Sequence, residues 1–306
     1  MSHFSGEFQV AEAAKLAVYQ LASLEAQSAL MMEMDVRLAE NLDLVRRALQ
    51  ARLVTELELA AAETAGNQAH ANLLSLQKQT ALQRLELNRL MGLPADTPIK
   101  LSSDIKLTAH WEEADLESFL TELEDRRLDL VALRRGYESQ EAAVRASILA
   151  QFPRLNLGMS RARDSGNVGT HGGVATLDLP LFDRNQGGIA LERATRQQLF
   201  DEYTARVFEA RADIARLLTE ARKLQEEIET ARAAEPSLER LVSTYRQAVK
   251  IGQADVLSYY SAWNNLTQKR IDVLVFEQQL MQSHIALELA SGRYMTRPAP
   301  KEDHTK

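Results

Sequence analysis

The sequence predicts a mainly α-helical chain, built from long coiled-coil helical hairpins and carrying one transmembrane β-hairpin. Three observations carry that expectation. Gly and Pro number 13 and 7 among 306 residues, where ordinary usage of roughly 7% and 5% would give about 21 and 15. Residues 151–188 hold seven of those 13 Gly and read with a period of two. Beyond them Tyr203, Val207, Ala210, Ile214, Leu217, Ala221, Leu224, Ile228 and Ala231 step alternately by four and three, a coiled-coil seam sustained over four heptads.

Each element follows in order. Residues 7–65 and 67–91 contain neither Gly nor Pro and read as helix. Gly92-Leu93-Pro94-Ala95-Asp96-Thr97-Pro98 closes that stretch, with Gly in the helix-ending position and Pro just beyond. Residues 99–125 are mixed and acidic, a small packing segment, and a helix is expected from about Arg127 to Ala150. After the strand region a helix from about 187 to 250 would be roughly 95 Å long at about 1.5 Å per residue. Between Ile189 and Ala290 only Pro236 and Gly252 interrupt the helical pattern. After Gly252 the apolar positions form two stripes, one through Val256, Trp263, Leu266, Val273, Leu280 and Leu287, the other through Leu257, Ile271, Leu274, Met281 and Ile285. Two stripes imply two neighbours, as in a wall of helices. The expected division is 1–92, 93–125, 126–293 and a tail at 294–306.

A shift of 200 residues without gaps aligns Leu24 with Leu224, Arg46 with Arg246, Leu57 with Leu257, Leu74 with Leu274, Leu87 with Leu287 and Gly92 with Gly292. The breaks at Ala51–Thr55 and Ile251–Asp255 coincide as well. The chain therefore reads as a duplicated helical hairpin with its turn at each break.

In the strand region, about 152–182, Leu155, Leu157 and Met159 share one face and Arg154, Asn156 and Ser160 the other. After the turn Asp164-Ser165-Gly166-Asn167, the residues Gly173, Ala175, Leu177, Leu179 and Leu181 share a face, opposite Thr176 and Asp178. Each strand is about 10 residues, enough to cross a bilayer when tilted. Leu155, Leu157, Met159, Leu177 and Leu179 are then the candidate membrane-facing residues. The alternative is a soluble hairpin with one face on a core, but no other segment offers it a sheet, and an isolated hairpin is marginal in water.

Composition excludes several classes. With no Cys there is neither a disulfide scaffold nor thiolate chemistry. A net charge of −7 argues against a nucleic-acid partner. No run approaches the roughly 18 apolar residues of a membrane helix. Met31 and Met34 are helical neighbours that suit packing better than soft-metal binding. His3, His70, His110, His171, His284 and His304 show no metal-ligand spacing. No nucleophile elbow, phosphate loop or HExxH motif is present, so neither an enzyme nor a metal or cofactor is expected. Met1-Ser2-His3-Phe4-Ser5-Gly6-Glu7 has no basic and apolar leader pattern, so no signal peptide is expected in this chain.

The order helix, Phe152-Pro153-Arg154-Leu155, strand, turn, strand, Leu179-Pro180-Leu181-Phe182-Asp183-Arg184-Asn185-Gln186-Gly187, long helix resembles the outer membrane efflux (TolC-like) family. Arg127-Leu128-Asp129-Leu130 resembles the Arg-Pro-Asp-Leu that opens the ascending helix there, with Leu128 in place of Pro. Gly252-Gln253-Ala254-Asp255-Val256-Leu257 resembles the periplasmic tip turn, and the Pro-Leu-Phe-Asp-Arg-Asn-Gln-Gly stretch leans toward the heavy-metal efflux branch. The resemblance implies a homotrimeric tunnel in the outer membrane with a periplasmic extension. Each chain gives four strands to a shared β-barrel and two helical hairpins to a shared α-barrel, with residues 99–125 and the tail forming a belt. It implies partners as well: a periplasmic adaptor (membrane fusion) protein, an inner-membrane pump such as an RND transporter, and outer membrane lipid. The cargo would be drugs or metal ions, or protein in type I secretion. Since Met1 aligns with Asp201, the chain is expected to be an incomplete copy that does not restore efflux alone.

The resemblance also suggests sites. Asp255 matches the first of two acidic positions ringing the closed periplasmic end, and Ser258 occupies the second. Three like charges on a narrow lumen would attract cations and make the gate pH-sensitive. Asp255 is equally placed to cap the helix starting at Val256, and Thr55 could cap likewise in the first copy. The adaptor-contacting tips would be Arg52, Leu53, Val54 and Thr55 with Gly252, Gln253 and Ala254; the alternative is an ordinary exposed turn. The competing class of function is a non-transport coiled-coil scaffold or the adaptor itself. An adaptor would flank a single helical hairpin with β segments, whereas here the strands lie between two copies.

Overall fold

The computed structural model describes residues 2–102, 116–163, 165–166, 169–178, 185–251 and 253–293. Seven helices and two strands follow in order: α1 (Ser2–Gln50), α2 (Glu56–Leu90), the short α3 (Leu116–Leu120) and α4 (Leu123–Arg126), α5 (Leu128–Leu149), β1 (Arg154–Arg163), β2 (Gly169–Asp178), α6 (Gln186–Lys250) and α7 (Val256–Ala290). The 200-residue repeat is carried into the element boundaries: α1 ends at 50 and α6 at 250, while α2 and α7 run over 56–90 and 256–290. The helix expected over about 187–250 is continuous, with Pro236 inside α6. A mid-helix Pro costs about 3 kcal/mol, and buried Ala231 and Val242 on the same helix supply packing to set against that cost. The break at 251–255 does end the helix.

Two compact units divide the chain. One comprises Met1–Leu116 with Ala215–Leu289, the other Glu117–Ile214 with Ala290–Lys306. In the first unit Met31, Met34, Leu38 and Val45 of α1, Ala62, Ala69 and Leu73 of α2, Val242 of α6, and Tyr259, Tyr260, Ala262, Leu266 and Ile271 of α7 form one core. A smaller cluster joins Ala17, Leu21 and Leu87, with Ile99 and Leu101 against it. The Met31 and Met34 pair is thus core packing. Of the coiled-coil seam, all positions from Val207 to Ala231 are buried and Tyr203 half-buried.

The second unit explains the Arg127–Leu130 motif. Arg127 holds the Asp129 carboxylate with Nε and Nη2 at 3.0 and 2.6 Å and donates to the Ala290 carbonyl at 3.4 Å. Arg206 of α6 reaches the same carboxylate at 3.3 Å, and Leu130 is fully buried. Burial pushes the Asp129 carboxyl upward, but the Arg127 hydrogen bond and charge, the Leu130 amide and Arg206 outweigh it and hold the group below its ordinary value. Gly292 lies in the left-handed region at φ +69°, and a Cβ there would stand 3.1 Å from the Arg126 carbonyl carbon. Only glycine meets both demands. Next to it Arg293 stacks over the Phe119 ring at 4.0 Å and donates to the Ser118 carbonyl at 2.8 Å. Most of the expected belt, 103–115 and 294–306, falls outside the described residues.

Candidate functional site

The tip turns are built alike. In the first, Arg52 adopts φ +60°, Ala51 donates to the Arg47 carbonyl at 3.1 Å, and Leu53 reaches back to Ala48 at 2.9 Å. In the second, Ile251 donates to Gln247 at 3.3 Å and Gln253 to Ala248 at 2.8 Å. This is the pairing that satisfies the last carbonyls of a helix. The caps that start the next helices differ. Thr55 and Glu58 form a reciprocal capping box: the Glu58 amide donates to Thr55 Oγ1 at 3.3 Å, and the Thr55 amide donates to Glu58 Oε2 at 2.7 Å. Asp255 accepts the Ser258 amide at 2.6 Å on one oxygen and the Ser258 hydroxyl at 2.8 Å on the other. The Ser258 amide, then its hydroxyl, hold the Asp255 carboxyl below its ordinary value. Asp255 is thus a helix cap, and Ser258 is its partner.

A groove of about 870 Å³ opens between the two tips, within the first unit. It brings together Leu53 and Val54 of one turn with Gln253, Ala254 and Asp255 of the other. Arg52, Thr55 and Ser258 are not among its lining residues, and Gly252 lies outside the described residues. Sequence reasoning missed the walls further up: Arg37, Leu44 and Arg246 line them. Arg37 also stacks over Trp263 of α7 at 4.9 Å. Such cross-helix partners leave no spacing signal, because the two residues stand more than 200 positions apart.

At the strands the register is antiparallel, with Leu155 opposite Leu177, Leu157 opposite Ala175 and Met159 opposite Gly173. Paired residues share a face, so both expected apolar rows fall on one side of the hairpin. Asn156, Gly158 and Ser160, opposite Thr176, Val174 and Gly172, make the other. Among the described residues nothing covers the apolar side: Leu157 is 76% and Met159 98% exposed, and Leu155 and Leu177 are exposed too. Leu179 lies outside the described residues. Just before α6, Asn185 adopts φ +53° and its side-chain amide donates to the Ser147 carbonyl at 3.1 Å, tying α6 to α5 on either side of the hairpin in sequence. A Cβ on Gly188, in the first turn of α6, would meet the Asn185 carboxamide, so a larger residue there would displace that side chain.

Among the described residues no helix is long and apolar enough to cross a membrane, and no cluster of three His, Cys, Asp or Glu could hold a metal ion.

Known proteins carry the same arrangement. OprJ, an outer membrane protein of Pseudomonas aeruginosa, is 29% identical over 146 residues, covering 44% of this chain and 29% of that protein. The chain thus spans under a third of this relative's length. The fold is similar to the crystal structure of the outer membrane protein VceC from Vibrio cholerae, with a TM-score of 0.79 and 20% identity, over 94% of this chain and 71% of that one. It is also similar to the open state of the MtrE outer membrane channel of Neisseria gonorrhoeae, with a TM-score of 0.77 and 18% identity, over 93% and 66%. The sequence profile of the family described as Outer membrane efflux protein matches residues 119–293, more than half of the chain. The chain belongs to the outer membrane efflux protein family.

Proposed function

We propose that the chain is a subunit of an outer membrane channel in a tripartite efflux system, passing drugs or metal ions from an RND-type inner-membrane pump through a periplasmic adaptor. The observation that carries this reading is the bare apolar face of β1–β2, two strands that lie in the chain between the helices α5 and α6. In water that face would be an unexplained liability; in a bilayer it is in its preferred solvent. Among the described residues the hairpin also leaves two sheet edges unpaired. Lipid offers backbone groups no hydrogen bonds, so a spanning hairpin needs neighbouring strands on both edges. In a closed barrel neighbouring hairpins supply them, with four strands from each subunit of a homotrimer as the family resemblance implies. The 1–92 and 126–293 segments then act as two repeats lining a shared α-barrel, with 93–125 and the tail as its belt.

The groove between the tips suits an adaptor's helical hairpin. Its lining mixes short side chains, Val54 and Ala254, with the charged Arg37, Glu40, Glu58 and Arg246. Capping does not remove Asp255 from the lumen role proposed for it with Ser258. The capped carboxylate remains exposed and ionised at neutral pH, as a cation-attracting ring requires. Members of this family are channel proteins and not enzymes.

The test is substitution by Arg on each face, with trimer assembly in outer membranes as the readout. Leu157→Arg or Leu177→Arg should cost about 2–4 kcal/mol near the bilayer midplane, whereas Asn156→Arg on the wet face should be mild. Equal tolerance at the three positions would count against the barrel.

A further inference from the structure

The apolar side of the hairpin changes character toward its turn. Beyond Met159 the same row of β1 continues with Arg161 and Arg163, and the register sets Arg161 opposite His171 and Arg163 opposite Gly169. Arg161, Arg163 and His171 are all exposed. At about 3.3 Å per residue the two Arg positions lie roughly 7 and 13 Å past Met159. The opposite row at this level holds Ser160, Ala162 and Gly172, with no charge. The basic residues are therefore confined to one side of the sheet, in line with Leu155, Leu157 and Met159. They sit at the end farthest from α5 and α6, which join the hairpin at its base.

We propose that Arg161, Arg163 and His171 form a binding site for the phosphate groups of an anionic glycolipid in the outer leaflet. This rests on the reading of β1–β2 as barrel strands whose odd-numbered row of β1 faces lipid. On that reading the helices leave toward the periplasm, so the turn end lies at the outer headgroups. A guanidinium is costly at the bilayer midplane and nearly neutral at the interface. Phosphate turns that position favourable, because the planar guanidinium fork binds phosphate oxygens bidentately. Two Arg on one strand separated by a single residue offer two such forks on the same side, with the His171 imidazole across from the first. Cations serving the exported cargo would belong on the other, lumen-facing row, which at this level has none. The lipid's acyl chains would lie along Met159, Leu157 and Leu155, continuous with the headgroup site.

The full chain and its R161Q/R163Q variant are reconstituted into phosphatidylethanolamine vesicles containing either bis-phosphorylated lipid A or the same lipid with both phosphates removed. Vesicle flotation reports insertion, and native mass spectrometry of the extracted protein reports retained lipid. The wild-type chain should retain the phosphorylated form about tenfold over the dephosphorylated one, and the variant should bring that ratio to within about twofold of unity. R161K/R163K should restore part of the preference, since Lys keeps the charge without the fork. Excess inorganic phosphate should leave the preference in place. Displacement by phosphate, or insertion without any preference, would overturn the lipid site while leaving the barrel reading intact. A wild-type chain that does not float with either vesicle would overturn both.

Discussion

The two helical hairpins share a turn of the same length and the same closing hydrogen bond, yet the helices that leave those turns are packed differently. At matched positions 200 residues apart, Leu87 and Leu287 are both 1% exposed, and Ala62 and Ala262 are both buried. That common stripe is the inheritance of the repeat. Elsewhere they part. Ala60 and Ala71 of α2 face solvent where Tyr260 and Ile271 of α7 are buried, and Leu85 is 46% exposed where Ile285 is 3%. The closing glycines show the same contrast. Gly92 and Gly292 adopt nearly the same φ, but only at Gly292 does a neighbouring backbone come within reach of a Cβ. One copy is packed along one side and the other along two. The first copy leaves Leu74, Leu82 and Leu85 exposed.

The largest expected effect breaks this comparison at its buried stripe. Ile271→Ala or Ile285→Ala should cost about 2–5 kcal/mol in urea unfolding, as for other large-to-small core changes. Leu85→Ala should stay within about 0.5 kcal/mol in the isolated chain. Similar losses at all three would mean that the two copies are packed alike.

A smaller effect is expected at the ion pair that only the second copy has. Glu277, buried on α7, is bound by Arg232 of α6, whereas the matched Gln77 is exposed. Arg232→Ala strands a buried carboxylate and should cost about 2–3 kcal/mol, below the roughly 3–5 of a fully buried pair because the Arg end is half in water. Adding Glu277→Leu should recover most of that loss in the same unfolding measurement.

The smallest effect sharpens the comparison at the caps. Asp255→Ala and Thr55→Ala should each cost about 1 kcal/mol at neutral pH. Their pH dependence should differ. The folded-state carboxyl of Asp255 is lowered, so its contribution is present above the unfolded value of about 3.9 and is lost as pH falls through the folded one. The Asp255→Ala penalty should therefore shrink in acid below about pH 4. Thermal melts of both variants across pH 3 to 7, an interval spanning the unfolded Asp value of about 3.9, would check this.

Much of the fold was legible because it is governed by local signals. Scarce Gly and Pro, the four-three seam and the two breaks located the ends of the long helices to within a residue or two, except the start of α1, which runs through Gly6 to Ser2. The residues at 55 and 255 announced themselves as caps by type and position. The strand faces were readable from alternation, and the register added that both apolar rows lie on one side. What could not be read were contacts between elements distant in sequence, such as Arg37 over Trp263, Arg232 on Glu277, and the upper walls of the tip groove. The helix expected over about 187–250 runs through Pro236, because propensity is a weak term beside the packing of a 65-residue helix.

The central claim is that one face of β1–β2 meets lipid and the other meets water. The absence of Cys allows a clean measurement. Leu157→Cys and Asn156→Cys, adjacent in sequence and on opposite faces, would be labelled in intact outer membranes with a water-soluble, membrane-impermeant maleimide and with a lipid-soluble one. Position 156 should react with the water-soluble reagent and position 157 only with the lipid-soluble one. Equal labelling of both positions by the water-soluble reagent would contradict it.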